Sequence, residues 1–168
     1  MLNFVLKVSG IFALILLTTV AIDAQKASPA AEVTGQIGKA TIQINYSQPG
    51  VKDRDIYGGL VPYGEVWRVG ANAATVFEVS SDVYVGGEML KAGKYGVWVI
   101  PGEKEWTWIF SSTWDTWGTN YDKANDVLRI TGSVETLDDK FERMTFNVGK
   151  DRVELHWNLT MASFSVRG

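Results

Sequence analysis

The stretch YGGLVPYGEVWRVGANAAT, Tyr57 to Thr75, gathers side chains that could recognise a polar ligand. Arg68 follows Trp67 directly, Asn72 comes soon after, and Arg54 stands a short way upstream. A guanidinium is a rigid fork of donors. It suits a carboxylate, a phosphate or a sugar hydroxyl, and it stacks on rings. Asn72 adds one donor and one acceptor. Tyr57, Tyr63 and Trp67 supply rings to shape a pocket. Gly58, Gly59, Gly64 and Gly70 let the backbone turn, and Pro62 stiffens it. The expectation is a fixed excursion in which Arg54, Tyr57, Tyr63, Trp67, Arg68 and Asn72 line a ligand site. The competing expectation is a clamp, with Arg68 paired to Glu65 or Glu78 and Asn72 capping a turn.

Other chemistries find less support in the sequence. Zinc needs nitrogen or sulfur ligands, and the chain has one histidine and no cysteine. Asp115, Asn120, Asp122 and Asp126 do not follow the spacing of a calcium loop, so no metal and no cofactor are expected. A Ser-His-acid arrangement would have to use His156, and no serine lies in a nucleophile-elbow pattern. Glycoside hydrolysis needs two carboxylates about 5 to 9 Å apart across a cleft. Asp53, Asp55 and Glu65 flank the glycine-rich segment and are the candidates for that alternative. No catalytic residue is assigned. Trp114 and Trp117 sit in the polar loop Ser112 to Asp126, either as a platform for sugar rings or packed over one end of the domain.

These residues must be positioned by strands. Ala40, Ile42, Ile44 and Tyr46 alternate with polar neighbours, and so do Phe77 and Val79. Gly86-Gly87 between Val83 to Val85 and Glu88 to Leu90 predicts a tight hairpin. Tyr95 to Ile100, apolar on both faces, predicts a central strand. Trp106 to Phe110 continues the pattern. Four further strands are expected near Val127 to Val134, Phe141 to Val148, Val153 to Leu159 and Ala162 to Val166. On the third of these, Val153, Leu155, Trp157 and Leu159 should share one face. A turn of helix near Asp53 to Leu60 or Leu137 to Lys140 is a further option. Trp98, Trp106, Trp108 and Trp157 are assigned to the core. Many short strands separated by turns predict an all-β antiparallel β-sandwich, jelly-roll-like, with a closed barrel as runner-up.

The segment from Tyr46 to Thr75, YSQPGVKDRDIYGGLVPYGEVWRVGANAAT, resembles the hallmark GGLVPYGxVWRxGAN of a bacterial secreted domain family of unknown function. LKAGKYGVWVIPGEKEWTWIF and DVLRI resemble it too, so the similarity spans roughly Ser28 to the C-terminus. The resemblance implies a fold neighbourhood and an exported location, and no activity. Ala73 stands where such proteins often carry an acidic residue after the asparagine, so no carboxylate role is carried to this position.

The N-terminus agrees with export. Lys7 precedes an uncharged, apolar run from Val8 to Ile22, short for a membrane span of about 20 residues and suited to a signal peptide. Residues 1–24 are expected to be that peptide, with cleavage after Ala24 or, shifted, after Ala27. Residues 25–168 are expected to form one domain, with no stable membrane anchor after cleavage. Without cysteine no lipoprotein anchor is possible and no disulfide forms, so an oxidising compartment is permitted but not exploited; the signal peptide leads to the expectation of a periplasmic or extracellular protein. A net charge of −3, with acids and bases mixed along the chain, offers no basic patch for nucleic acid. The functional expectation is a binding module for a carbohydrate or other polar cell-envelope component. The alternatives are the hydrolase above and a protein-interaction module with no small-molecule site.

Overall fold

Period-two patterning builds most of the domain. The computed structural model describes residues 27–168, and the expected signal peptide lies outside them. β1 (Ala30–Ile37) and β2 (Ala40–Ser47) form the first antiparallel pair. β2 buries Ala40, Ile42, Ile44 and Tyr46 and half-covers the residues between them, as its alternation predicts. β3 (Thr75–Val79) pairs with β2 on one side and with β6 (Gly93–Ile100) on the other. β4 (Val83–Val85) and β5 (Glu88–Leu90) are the expected hairpin, turning on Gly86 and Gly87 at φ 59° and 94°. β7 (Glu105–Ser111) follows β6. A single 3-10 turn, Lys123–Asn125, leads into β8 (Asp126–Val148), which pairs with β9 (Arg152–Arg167).

The sheet order is β1-β2-β3-β6-β7-β8-β9-β4-β5, all antiparallel, and it ends on two free edges. The closed barrel is therefore not what forms. The sheet instead folds over itself into a sandwich. Tyr46 of β2 meets Phe146 of β8 edge-on at 5.0 Å, and its hydroxyl accepts the Phe146 N–H at 3.1 Å. Phe77 of β3 reaches Phe164 of β9. The β4–β5 hairpin lies over Ile130 of β8, so closely that a Cβ on Gly86 would stand 2.7 Å from the Ile130 Cβ. Between the layers lies an apolar core that takes in Trp106, Trp108 and Trp157, while Trp98, equally buried, packs with Ala74 and Ile109.

Three details differ from the sequence expectation. β1 has no distinctive pattern and was not expected; its side chains alternate between exposed and half-buried until the buried Ile37 at its end. The four late strands merge into two long ones, with register shifts between Thr136 and Phe141 and between Phe141 and Thr145. Leu137 to Lys140 lies inside β8, and Asp53 to Leu60 forms turns without helix. Finally, Asn158 takes a left-handed φ of 57° inside β9. That bend interrupts the alternation, so Trp157 stays buried while Leu159 turns out to 42% exposure.

Candidate functional site

The motif loop is stitched to the sheet. β3 covers β6 only as far as Val97. Beyond it, Trp67 takes the empty place: its N–H donates to Val99 O at 2.7 Å and its carbonyl accepts the Val99 N–H at 2.9 Å. Gly64 N–H donates to Pro101 O at 2.9 Å. The chain then passes through Val69 at φ 48° and Asn72 at φ 63°, conformations that β-branched residues in particular avoid. The Thr75 hydroxyl donates to Val69 O at 2.7 Å in the interior and helps hold that bend.

Behind the loop, four rings form one cluster. Trp67 stacks on Trp157 at 5.6 Å with the planes 12° apart, and Trp106 and Tyr57 meet these rings edge-on. The Tyr57 hydroxyl is sealed from solvent without a partner. Burial, followed by the neighbouring Tyr63 phenol, holds it far above the ordinary tyrosine range, so it stays protonated. Tyr57 and Trp67 thus serve as core as well as pocket wall.

A recess opens on each side of this cluster. The first, about 330 Å³, is lined by Val66, Trp67, Arg68, Trp98, Gly118, Thr119 and Tyr121. The Arg68 Nε is buried here with no hydrogen-bond partner among the described residues. Among the described residues no carboxylate forms an ion pair with Arg68, and Glu78 is taken by Lys94 at 3.1 Å. The clamp reading of Arg68 therefore lacks its acid. Gly118 makes the recess possible. A Cβ there would lie 2.6 Å from Arg68 Cδ and 2.9 Å from Asn72 O. Gly118 N–H donates to Asn72 O at 2.9 Å, and Gly118 O accepts the Trp98 indole N–H at 2.8 Å. Tyr121 is fixed by Asp126, whose carboxylate accepts its hydroxyl at 3.0 Å, and by Arg129, which donates to it at 2.7 Å.

The second recess, about 490 Å³, is lined by residues of the same loop from Asp55 to Gly59, by Tyr63, and by Asn158 and Thr160 of β9.

The six expected site residues are thus divided. Tyr57 and Tyr63 share the second recess, and Trp67 and Arg68 share the first. Arg54 turns back on its own chain, donating from Nη2 to Gly50 O at 2.6 Å and from Nε to Val51 O at 3.1 Å. The Asn72 amide donates to Ser47 Oγ at 3.3 Å and Ser28 O at 3.4 Å, and lines neither recess. The single hollow shared by Arg54, Arg68 and Asn72 does not form, because main-chain oxygens and Ser47 occupy two of the three. Of the candidate acids, Asp55 alone lines a recess described here, and no carboxylate lines the one beside Arg68. Two of the polar loop acids are occupied: Asp126 holds Tyr121 and Arg129, and Asp122 accepts Ala124 N–H at 2.9 Å. Trp114 and Trp117 stay outward, 39% and 55% exposed. His156 is not an exposed strand histidine. It stacks on Phe141 at 4.8 Å.

Trp98, Gly118, Thr119 and Tyr121 were missed as partners of Arg68. The mixture of rings, hydroxyls and glycine in the loop after β7 was the available signal. Asn158 and Thr160 gave none, since a left-handed residue within a strand leaves no mark on local periodicity.

The family described as "Protein of unknown function (DUF2911)" matches residues 28–166. No curated protein and no solved structure matches the chain.

Proposed function

The chain belongs to the DUF2911 family of proteins of unknown function, a membership that brings no activity with it, and we propose from the site itself an exported binding module. Its ligand is an anionic, hydroxyl-bearing molecule of the kind an acidic carbohydrate presents, taken up in the Arg68 recess. The observation that carries this reading is the guanidinium with a buried, unpartnered Nε and no acid beside it. A buried donor left without an acceptor costs about 1–3 kcal/mol. A ligand carboxylate in the recess would gain a charge-assisted bond to the part of the half-buried guanidinium that stays accessible. The half-buried rings of Trp67 and Tyr121 in the same lining suit the apolar face of a sugar, and the Thr119 hydroxyl suits its polar edge. Export rests on the N-terminal pattern and on the family resemblance, and a periplasmic or extracellular place follows from it.

The test is calorimetric titration with a galacturonate tetramer and with the neutral galactose tetramer. The acidic probe should bind at least about tenfold more tightly, as one charge-assisted bond implies, and should weaken as salt is raised. Equal affinity for both probes, or no heat from the acidic one with the fold intact, would refute the assignment.

A further inference from the structure

The second recess lies outside that reading and has its own chemistry. It is built by two rigid pieces. From the loop, Leu60 N–H donates to Asp55 O at 2.9 Å, and Gly58 N–H donates to Val61 O at 2.9 Å, closing a tight turn. The Tyr63 ring lies against Gly58, where a Cβ would be 3.2 Å from the ring edge, and the side chain is 43% exposed. From the sheet, β8 pairs Thr136 with Thr160 and then skips to pair Phe141 with Asn158. At this gap the left-handed Asn158 turns β9, and Asn158 and Thr160 both border the recess.

Besides the sealed Tyr57 hydroxyl, the polar side-chain groups lining it are a carboxylate, a phenol, an amide and a hydroxyl. Among the described residues the side chains of Asp55, Tyr63, Asn158 and Thr160 make no hydrogen bond. Asp55 is in no ion pair and is the only carboxylate in the lining, which contains no cation. Such a lining favours a neutral or cationic ligand over an anion. It offers one aromatic face and several directional partners, the pattern of a pocket that orients a small polar ring.

We infer that this recess is a separate binding site for a hydroxylated sugar ring without negative charge, with an amine-bearing ring preferred. Tyr63 carries the face of the ring. Asn158 and Thr160 bond its hydroxyls, and Asp55 accepts from an amine or hydroxyl. The charge preference is opposite to that of the Arg68 recess.

The test is an amide NMR titration of the 15N-labelled protein with three tetramers: glucosamine, N-acetylglucosamine and galacturonate. The first two should shift the amides of Gly58, Gly59, Asn158 and Thr160, glucosamine binding several-fold more tightly, while galacturonate leaves those amides in place. The variant Asn158→Gly keeps a residue at ease in the left-handed region and removes only the amide. It should retain the parent spectrum elsewhere and bind the glucosamine tetramer about 2- to 12-fold more weakly, the loss expected of one neutral hydrogen bond. The inference is overturned if neither uncharged-acid probe moves those four amides, if galacturonate moves them equally, or if Asn158→Gly binds as tightly as the parent. Because galacturonate is the binding probe at Arg68 and only the control here, and the four amides report the second recess alone, failure here and failure at Arg68 are separate results.

Discussion

Replacing Arg68 with Met separates a ligand site from a structural fastening. In the absence of ligand, the guanidinium has a buried Nε with no acceptor and no ion pair among the described residues. Removing an unsatisfied buried donor returns part of a penalty of about 1–3 kcal/mol. Methionine keeps an unbranched, adaptable stem over Gly118, where Arg68 Cδ now packs. Exchanging this half-buried, unpaired cation for an apolar side chain of similar reach should therefore be neutral or mildly stabilising. The net expectation is about 0–1 kcal/mol in favour of the variant, or about 0–4 °C in melting temperature for a domain of this size. Scanning calorimetry without saccharide reads this directly, and titration of the same sample with the galacturonate tetramer should show binding lost. A fall of more than about 4 °C would show that the guanidinium supports the fold, and the argument from its missing partner would fail.

Two further outcomes test the framework around the site. Tyr46→Phe keeps the ring against Phe146 but strips the acceptor from a buried backbone N–H; urea unfolding should register a loss of about 1–3 kcal/mol, and a change below about 0.5 kcal/mol would mean that water replaces the hydroxyl. His156 has its pKa lowered, first by burial and then by Arg152, against an upward pull from Glu154. The unfolded chain therefore takes up the proton at a higher pH than the folded one. Stability should be intact above the ordinary value of 6.5 and decline as pH falls below it. Urea midpoints at about pH 7.5 and about pH 5 should show a drop that is smaller in His156→Gln. An equal or larger drop in the variant would sink the assignment.

Where neighbours in sequence decide the outcome, the chain was legible. The alternation in β2, the Gly86-Gly87 hairpin and the apolar run of β6 all follow from local pattern, and so do the buried Trp106, Trp108 and Trp157. β1 escaped notice because one edge pairing with β2 holds it and little of its surface is buried. The merging of the late strands depends on β9 following β8 through two register shifts, which no single segment specifies. At the site, the motif was found and its division was not. Whether Arg54 faces a ligand or its own carbonyls depends on a turn through Lys52 and Asp53, both left-handed. Arg68 meets Gly118 and Trp98 only because distant parts of the chain are brought to one end of the sheet.

The paired bonds between Trp67 and Val99 have a consequence for how ligands are met. Since this residue completes a row of the sheet, its indole is anchored as firmly as any strand residue, and the wall it gives the Arg68 recess has no hinge of its own. On the binding reading proposed above, that one wall would stand in the same place before and after a ligand arrives, moving only with the row of the sheet that carries it.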